Sequence, residues 1–269
     1  MKLSEIYKIL DEVAPKALSD EYCAKCGAYD NSGILVDVGT EIHSVLFTLD
    51  LTNAAIAHAK AIGANLIVTH HPMIFGKIGN IRIDDNGLLG GKLVQCIREG
   101  ISVVSMHLNL DCAEGGIDES LMNGLRAAAG AKGACEATLF HPLSQGGYGR
   151  VYDLPSITLG DFVDSIKKEF STDRVTVYGD MERKLTRAAS FCGAGADDGS
   201  LSFAARERAD VVVSSDFKHH LLTFAVEKGM SVVVLTHYAS ENYGFQKYYQ
   251  KISQRIDLPC AYHTDENML

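Results

Sequence analysis

Apolar positions along the chain alternate between two periods. Ile6, Ile9, Leu10 and Val13 recur at helical spacing after Ser4 and stop near Pro15, which predicts an opening amphipathic helix capped at Ser4. A loop is expected next, through Asp30, Asn31, Ser32 and Gly33. Residues 44–50 (SVLFTLD) read as a buried strand, and Thr52 caps a helix whose Ala55, Ile56, Ala59 and Ile62 line one face up to Gly63. Leu66, Ile67, Val68 and Thr69 form the next strand, which runs straight into His70, His71 and Pro72. A helix over about 91–99 leads through Gly100 into the strand 101–106, with His107 and Asp111 just past its end. Another helix over 121–129 ends at Gly130.

The rhythm weakens over residues 131–147, rich in Ala and Gly, and then resumes. Strands are predicted at 149–152, 174–178, 187–192, 210–215 and 232–236, with helices at 158–170 and 199–207. Asp216, His219 and His220 follow the fourth of these strands, and His237 and Glu241 follow the fifth. Strands alternating with helices of 10 to 15 residues imply βαβ units. The expected fold class is α/β: two lobes with mostly parallel sheets flanked by helices and pseudo-symmetric halves, one lobe over 1–130 and the other over 131–269. Polar residues collect at the carboxyl ends of these strands, the edge where α/β proteins bind ligands.

Composition narrows the class further. In 269 residues, 46% hydrophobic and 22% charged positions with 5 Pro leave enough apolar material for a core and little bias toward disorder. A net charge of -9 opposes a general nucleic-acid surface, which needs clustered cations. The first residues carry no basic region followed by an apolar stretch, and the 7 Cys are scattered, which together predict a cytoplasmic protein without a membrane span. Cys23 and Cys26 form a CxxC without a second pair at zinc spacing, and are read as structural or incidental thiols.

The 10 His carry the candidate chemistry. Adjacent imidazoles on a strand point to opposite faces, so His70 and His71 can serve one site only where the backbone turns, and Pro72 supplies the turn. The bland alternative is a pair of hydrogen-bonded loop histidines. His237 and Glu241, four apart, share one face of a helical turn, and Asp111 follows a third strand. Five N and O ligands without thiolate favour zinc, iron, manganese, cobalt or nickel over calcium. They exceed one tetrahedral zinc but suit two ions sharing a carboxylate, a centre that activates water for hydrolysis. Asp50 and Asp216, each just after a strand, either orient histidines or cap helices. Gly193, Ala194, Gly195 and Ala196 lack the third Gly of a dinucleotide fingerprint and are read as a tight turn before a helix. His43, His58, His141 and His263 have no supporting pattern and are assigned to surface or packing.

Four ordered blocks resemble a known family: residues 30–33 (DNSG), 63–75 (GANLIVTHHPMIF), 107–111 (HLNLD) and 237–241 (HYASE) are similar to the signatures of the NIF3-like, or GTP cyclohydrolase I type 2 homologue, family. The resemblance extends over nearly the whole chain, including Gly115 and Gly116 and the 147–152 segment. It implies a dinuclear metal centre in a two-lobed α/β subunit and a ring-shaped homohexamer built from dimers. The implied metal ligands are His70, His71, Asp111, His237 and Glu241, with His107 and His220 close beside them. Tyr29 stands where many bacterial members carry Trp, Thr236 replaces a frequent Gly, and Met268 stands where Pro is common, but no ligand is lost. The length matches the short, core form. The functional expectation is a metal-dependent hydrolase acting on a small anionic substrate of nucleotide or phosphoester type, with GTP cyclohydrolase ring opening as the family label. The rival is a non-catalytic regulatory or scaffold ring whose metal is structural or sensory.

Overall fold

A computed structural model describes residues 1–82 and 89–269. The chain divides into two compact units: Met1–Ala113 with Phe245–Asp265, and Glu114–Gly244 with Glu266–Leu269. The expected boundary at 130/131 therefore lies inside the second unit. The reason is the helix before it, whose buried Ile117, Leu121 and Leu125 face the core of that unit, so the Ala- and Gly-rich stretch after it joins elements within one unit.

The first unit opens with α1 (Leu3–Val13), α2 (Lys16–Cys26) and β1 (Gly33–Val36). It continues through β2 (Val45–Thr48), α3 (Asn53–Ile62), β3 (Leu66–Thr69), α4 (Leu89–Arg98), β4 (Ser102–Ser105) and the short α5 (Leu108–Cys112). The cap of α1 differs from expectation: the Glu5 carboxylate accepts from the Lys2 N–H at 2.8 Å, one turn's start before Ser4. Helix α2 replaces an expected loop. Its sequence has almost no apolar period, burying only Leu18 and Ser19, so nothing in the pattern announced it. Two i,i+4 ion pairs, Lys16–Asp20 and Glu21–Lys25, support it, and Gly27 closes it in the left-handed region at φ 66°.

The sheet of this unit has the order β1-β4-β3-β2-β11, where β11 is Cys260–His263 near the end of the chain. Strands β2, β3, β4 and β11 run parallel and β1 antiparallel. Thr69 pairs with both Thr48 and Ser105, so the residues that follow β2, β3 and β4 leave the sheet at one edge. Leu46, Ile56, Ile67, Leu93 and Val103 form its core between sheet and helices.

The second unit holds α6 (Ile117–Ala128), β5 (Thr138–Pro142), β6 (Gly147–Thr158), α7 (Leu159–Glu169), β7 (Val175–Tyr178) and β8 (Lys184–Ser190). Then come α8 (Asp198–Arg206), β9 (Val211–Ser214), α9 (His219–Glu227), β10 (Ser231–Leu235) and α10 (His237–Ser253), whose last turns belong to the first unit. The sheet order is β5-β6-β8-β9-β10-β7. Only β8, β9 and β10 are mutually parallel, and the other three pairings are antiparallel. The expectation of mostly parallel sheets thus holds for the first sheet and is corrected for the second. There β5 and β6 form a hairpin through a four-residue turn, which can only join antiparallel strands. The parallel core β8-β9-β10 nevertheless repeats the arrangement of the first unit, with Phe191, Ser215 and Thr236 emerging at a common strand-end edge. Among the described residues no helix is long and apolar enough to cross a membrane.

Candidate metal centre

In the first unit, parallel register brings three histidines together. The N–H groups of His70 and His71 both donate to the Leu49 carbonyl at 3.1 Å, so the chain turns immediately after β3 and the two rings need not diverge. Ser105 Oγ donates to the His70 carbonyl at 2.7 Å, and the Met106 N–H donates to Thr69 O at 2.9 Å, tying the ends of β3 and β4 to one another. His70, His71 and His107 each present one ring nitrogen within 4.8 Å of the others.

Each of these rings has its Nδ1 engaged. His70 Nδ1 lies 2.7 Å from the Met106 carbonyl, His71 Nδ1 is 2.8 Å from Asp50 Oδ1, and His107 Nδ1 is 2.7 Å from Asp30 Oδ1. A carbonyl or carboxylate facing Nδ1 requires the proton there, which turns the Nε2 lone pair of a neutral ring outward, as metal-binding histidines require. His70 shows the consequence most clearly. It is fully buried, and its Nε2 faces Asp111 Oδ1 at 3.4 Å. With the proton on Nδ1, lone pair and carboxylate confront each other unless a cation, a second proton or a metal ion, stands with them.

Asp30 anchors this group most firmly. Its carboxylate also accepts from Ser19 Oγ and Ser32 Oγ, both at 2.5 Å, and Ser32 Oγ in turn accepts the His107 N–H at 3.1 Å. Burial pushes the Asp30 carboxyl up, but the hydrogen bond and charge of His107, with the two serines, outweigh it and hold the group well below the usual carboxylate range.

The second unit builds a smaller group at the ends of β8, β9 and β10. His237 opens α10, and its Nδ1 lies 2.5 Å from Asp216 Oδ2 while its Nε2 lies 3.1 Å from Glu241 Oε2. The ring is therefore held between two carboxylates, the arrangement seen at His70 in another form. Asp216 sits in the left-handed region at φ 50°, which Asp tolerates better than most residues and which aims its carboxylate at His237. Gly193, at φ 55°, backs the carboxylate: a Cβ there would overlap Glu241 Oε1.

Asp50 and Asp216 thus orient histidines, the first of the two readings open to them from the sequence. Asp30 and Gly193 had no functional reading. Asp30 lies far along the chain from His107, and the role of Gly193 depends on a side chain 48 positions away. His107 joins the His70 and His71 group, whereas His220 is exposed on the first turn of α9 and belongs to no group of potential ligands among the described residues. His58 and His263, taken as packing residues, face each other with Nδ1 atoms 3.2 Å apart.

The fold is a two-sheet α/β protein whose carboxylate-backed histidines form candidate metal-binding groups. The chain belongs to the Duf34/NIF3 (NGG1p interacting factor 3) family, whose model matches residues 1–265. It is 30% identical over 262 residues to a GTP cyclohydrolase 1 type 2 homolog of Clostridium perfringens, covering 96% of this chain and 93% of that protein. A Methanocaldococcus jannaschii protein of the same name is 29% identical over 96% of this chain and 97% of its own. Among solved structures, reduced HcgD from M. jannaschii superposes with a TM-score of 0.77 at 28% identity, covering 97% of each chain. A Bacillus cereus protein related to NIF3 gives a TM-score of 0.77 at 20% identity over 98% of this chain and 97% of that one, which speaks for the fold.

Proposed function

We propose that this protein is a dinuclear metal-dependent hydrolase of the cytoplasm, acting on a small anionic substrate of nucleotide or phosphoester type. The proposed ligands are His70, His71 and Asp111 with His237 and Glu241, brought into one centre in a ring-shaped homohexamer. The observation that carries the reading is the donor set itself: His70 and His237 each have an acceptor at Nδ1 and a carboxylate at Nε2. Neutral imidazoles so placed fit divalent zinc, iron, manganese, cobalt or nickel, and no thiolate competes.

When bound, two such ions supply an activated water and neutralise charge growing on a substrate oxygen. The protein's own part is orientation. Met106 O, Asp50 and Asp216 fix the tautomers of His70, His71 and His237, and Gly193 leaves Glu241 the space it occupies. His107, held by Asp30, is the remaining imidazole of the first group, available to bind a substrate oxygen or pass a proton at Nε2.

The test is metal analysis of the purified protein, followed by a screen of nucleotides and phosphoesters on the metal-loaded form beside His70→Ala and Glu241→Ala. Two equivalents of metal and a hydrolysis that both variants abolish are expected. Stoichiometric metal without any turnover would instead favour the regulatory or scaffold reading, and no metal would end both.

A further inference from the structure

We propose that Asp118, on the first turn of α6, is a positioning residue for the His237–Glu241 pair and acts through the turn at residues 192–193. The proposal rests on the metal-binding reading above. Asp118 is completely buried. Its Oδ2 accepts the Gly149 N–H at 3.0 Å and the Arg150 guanidinium, and its Oδ1 accepts the Cys192 N–H at 3.2 Å. Burial pushes its carboxyl upward against the opposing pull of Arg150, and an apolar residue would be easier to bury at this position. What a carboxylate adds is a pair of directional acceptors joining β6 to the segment after β8.

Further hydrogen bonds hold that segment as well. Tyr148 donates to the Cys192 carbonyl at 2.6 Å, the Gly193 N–H donates to Ser240 Oγ at 3.3 Å, and the Gly193 carbonyl accepts from the Ser215 N–H at 3.1 Å. Ser240 Oγ also donates to the His237 carbonyl at 2.8 Å, so the turn and the first turn of α10 share one network. Gly193 then abuts the Glu241 carboxylate with no space for a methyl group. Displacing the turn must either release that carboxylate or drive into it, and the carboxylate is a partner of His237 Nε2.

The experiment uses the full chain and measures Zn²⁺ affinity by chelator competition for wild type, Asp118→Asn, Gly193→Ala and Tyr148→Phe. Asp153→Asn serves as the control, breaking an exposed ion pair with Arg187 on the same strands. Asp118→Asn and Gly193→Ala are expected to weaken Zn²⁺ binding roughly tenfold or more, the range for residues that orient ligands, with Tyr148→Phe about threefold and the control unchanged. Unaltered affinity in folded Asp118→Asn, with only a lower Tm, would overturn the proposal. If Asp118→Asn does not fold, Tyr148→Phe decides by the same criterion. If the wild type takes up no Zn²⁺, the metal reading fails separately, and the clamp is judged on the ¹⁵N resonances of the His237 ring in the metal-free protein. Those must shift in Tyr148→Phe and Asp118→Asn but not in the control, and unchanged resonances would refute it.

Discussion

The two units present histidine at the ends of parallel strands by different means. In the first, three rings are carried on backbone that hydrogen bonds tie to neighbouring strands, and the central ring, His70, is wholly enclosed. In the second, one ring and one carboxylate sit an α-helical turn apart, and the His237 side chain keeps about a third of its surface in solvent. His70 is part of the core, so its removal costs stability as well as a ligand. The second group is mounted on a helix end, with a partly exposed His237. Both nevertheless secure Nδ1 with an acceptor, which is what a metal-binding ring needs whichever scaffold carries it.

The sharpest way to break this comparison is His70→Ala. Removing an enclosed ring packed against His71, His107 and Phe245 should cost about 2–4 kcal/mol in chemical denaturation and also abolish metal uptake. His237→Ala should also abolish metal uptake, while changing stability by less than about 1 kcal/mol. Equal stability losses would erase the distinction.

A smaller and more selective contrast lies in the supporting carboxylates. Asp30 is buried with three side-chain partners, so Asp30→Asn should cost roughly 1–3 kcal/mol. Asp216→Asn, at an exposed carboxylate, should leave Tm nearly unchanged yet lower metal affinity about 10- to 100-fold. Because the Asp30 carboxyl is held below its ordinary value of 3.8, its stabilisation is present in full above that pH and disappears as pH falls below it. The stability gap between wild type and Asp30→Asn, followed by denaturation from pH 6 to pH 3, should therefore narrow at the acid end.

The smallest effects should be shared by both units. Thr52 accepts the Ala55 N–H at 3.0 Å at the start of α3, and Thr158 accepts the Asp161 N–H at 3.2 Å at the start of α7. Thr52→Ala and Thr158→Ala should each cost about 1 kcal/mol with metal affinity unchanged. A loss of metal in either would show that the site is sensitive to remote stability and would weaken the contrast drawn above.

The chain's own pattern was enough for the parallel strands β2, β3, β4, β9 and β10, since each is a short apolar run bounded by polar or glycine signals. It was enough, too, for the capped helices α3 and α7, and for the placement of histidines at strand ends, because His70, His71 and His237 follow such runs directly. Local order determines these features, and local order is written in adjacent residues. Helix α2 was illegible because its stability comes from ion pairs, a glycine cap and packing rather than from an apolar stripe. Strands β5 and β11 were illegible, and β6 and β7 were read as strands without their antiparallel direction, because strand partners are chosen by pairing in the folded sheet, as Cys260 with Val45. The same holds in the candidate site. That Asp30 would meet His107, that Gly193 would make space for Glu241, and that Asp118 would accept the Cys192 N–H were decided only by the tertiary structure, which brings distant groups to hydrogen-bond distance and fixes which imidazole nitrogen keeps its proton.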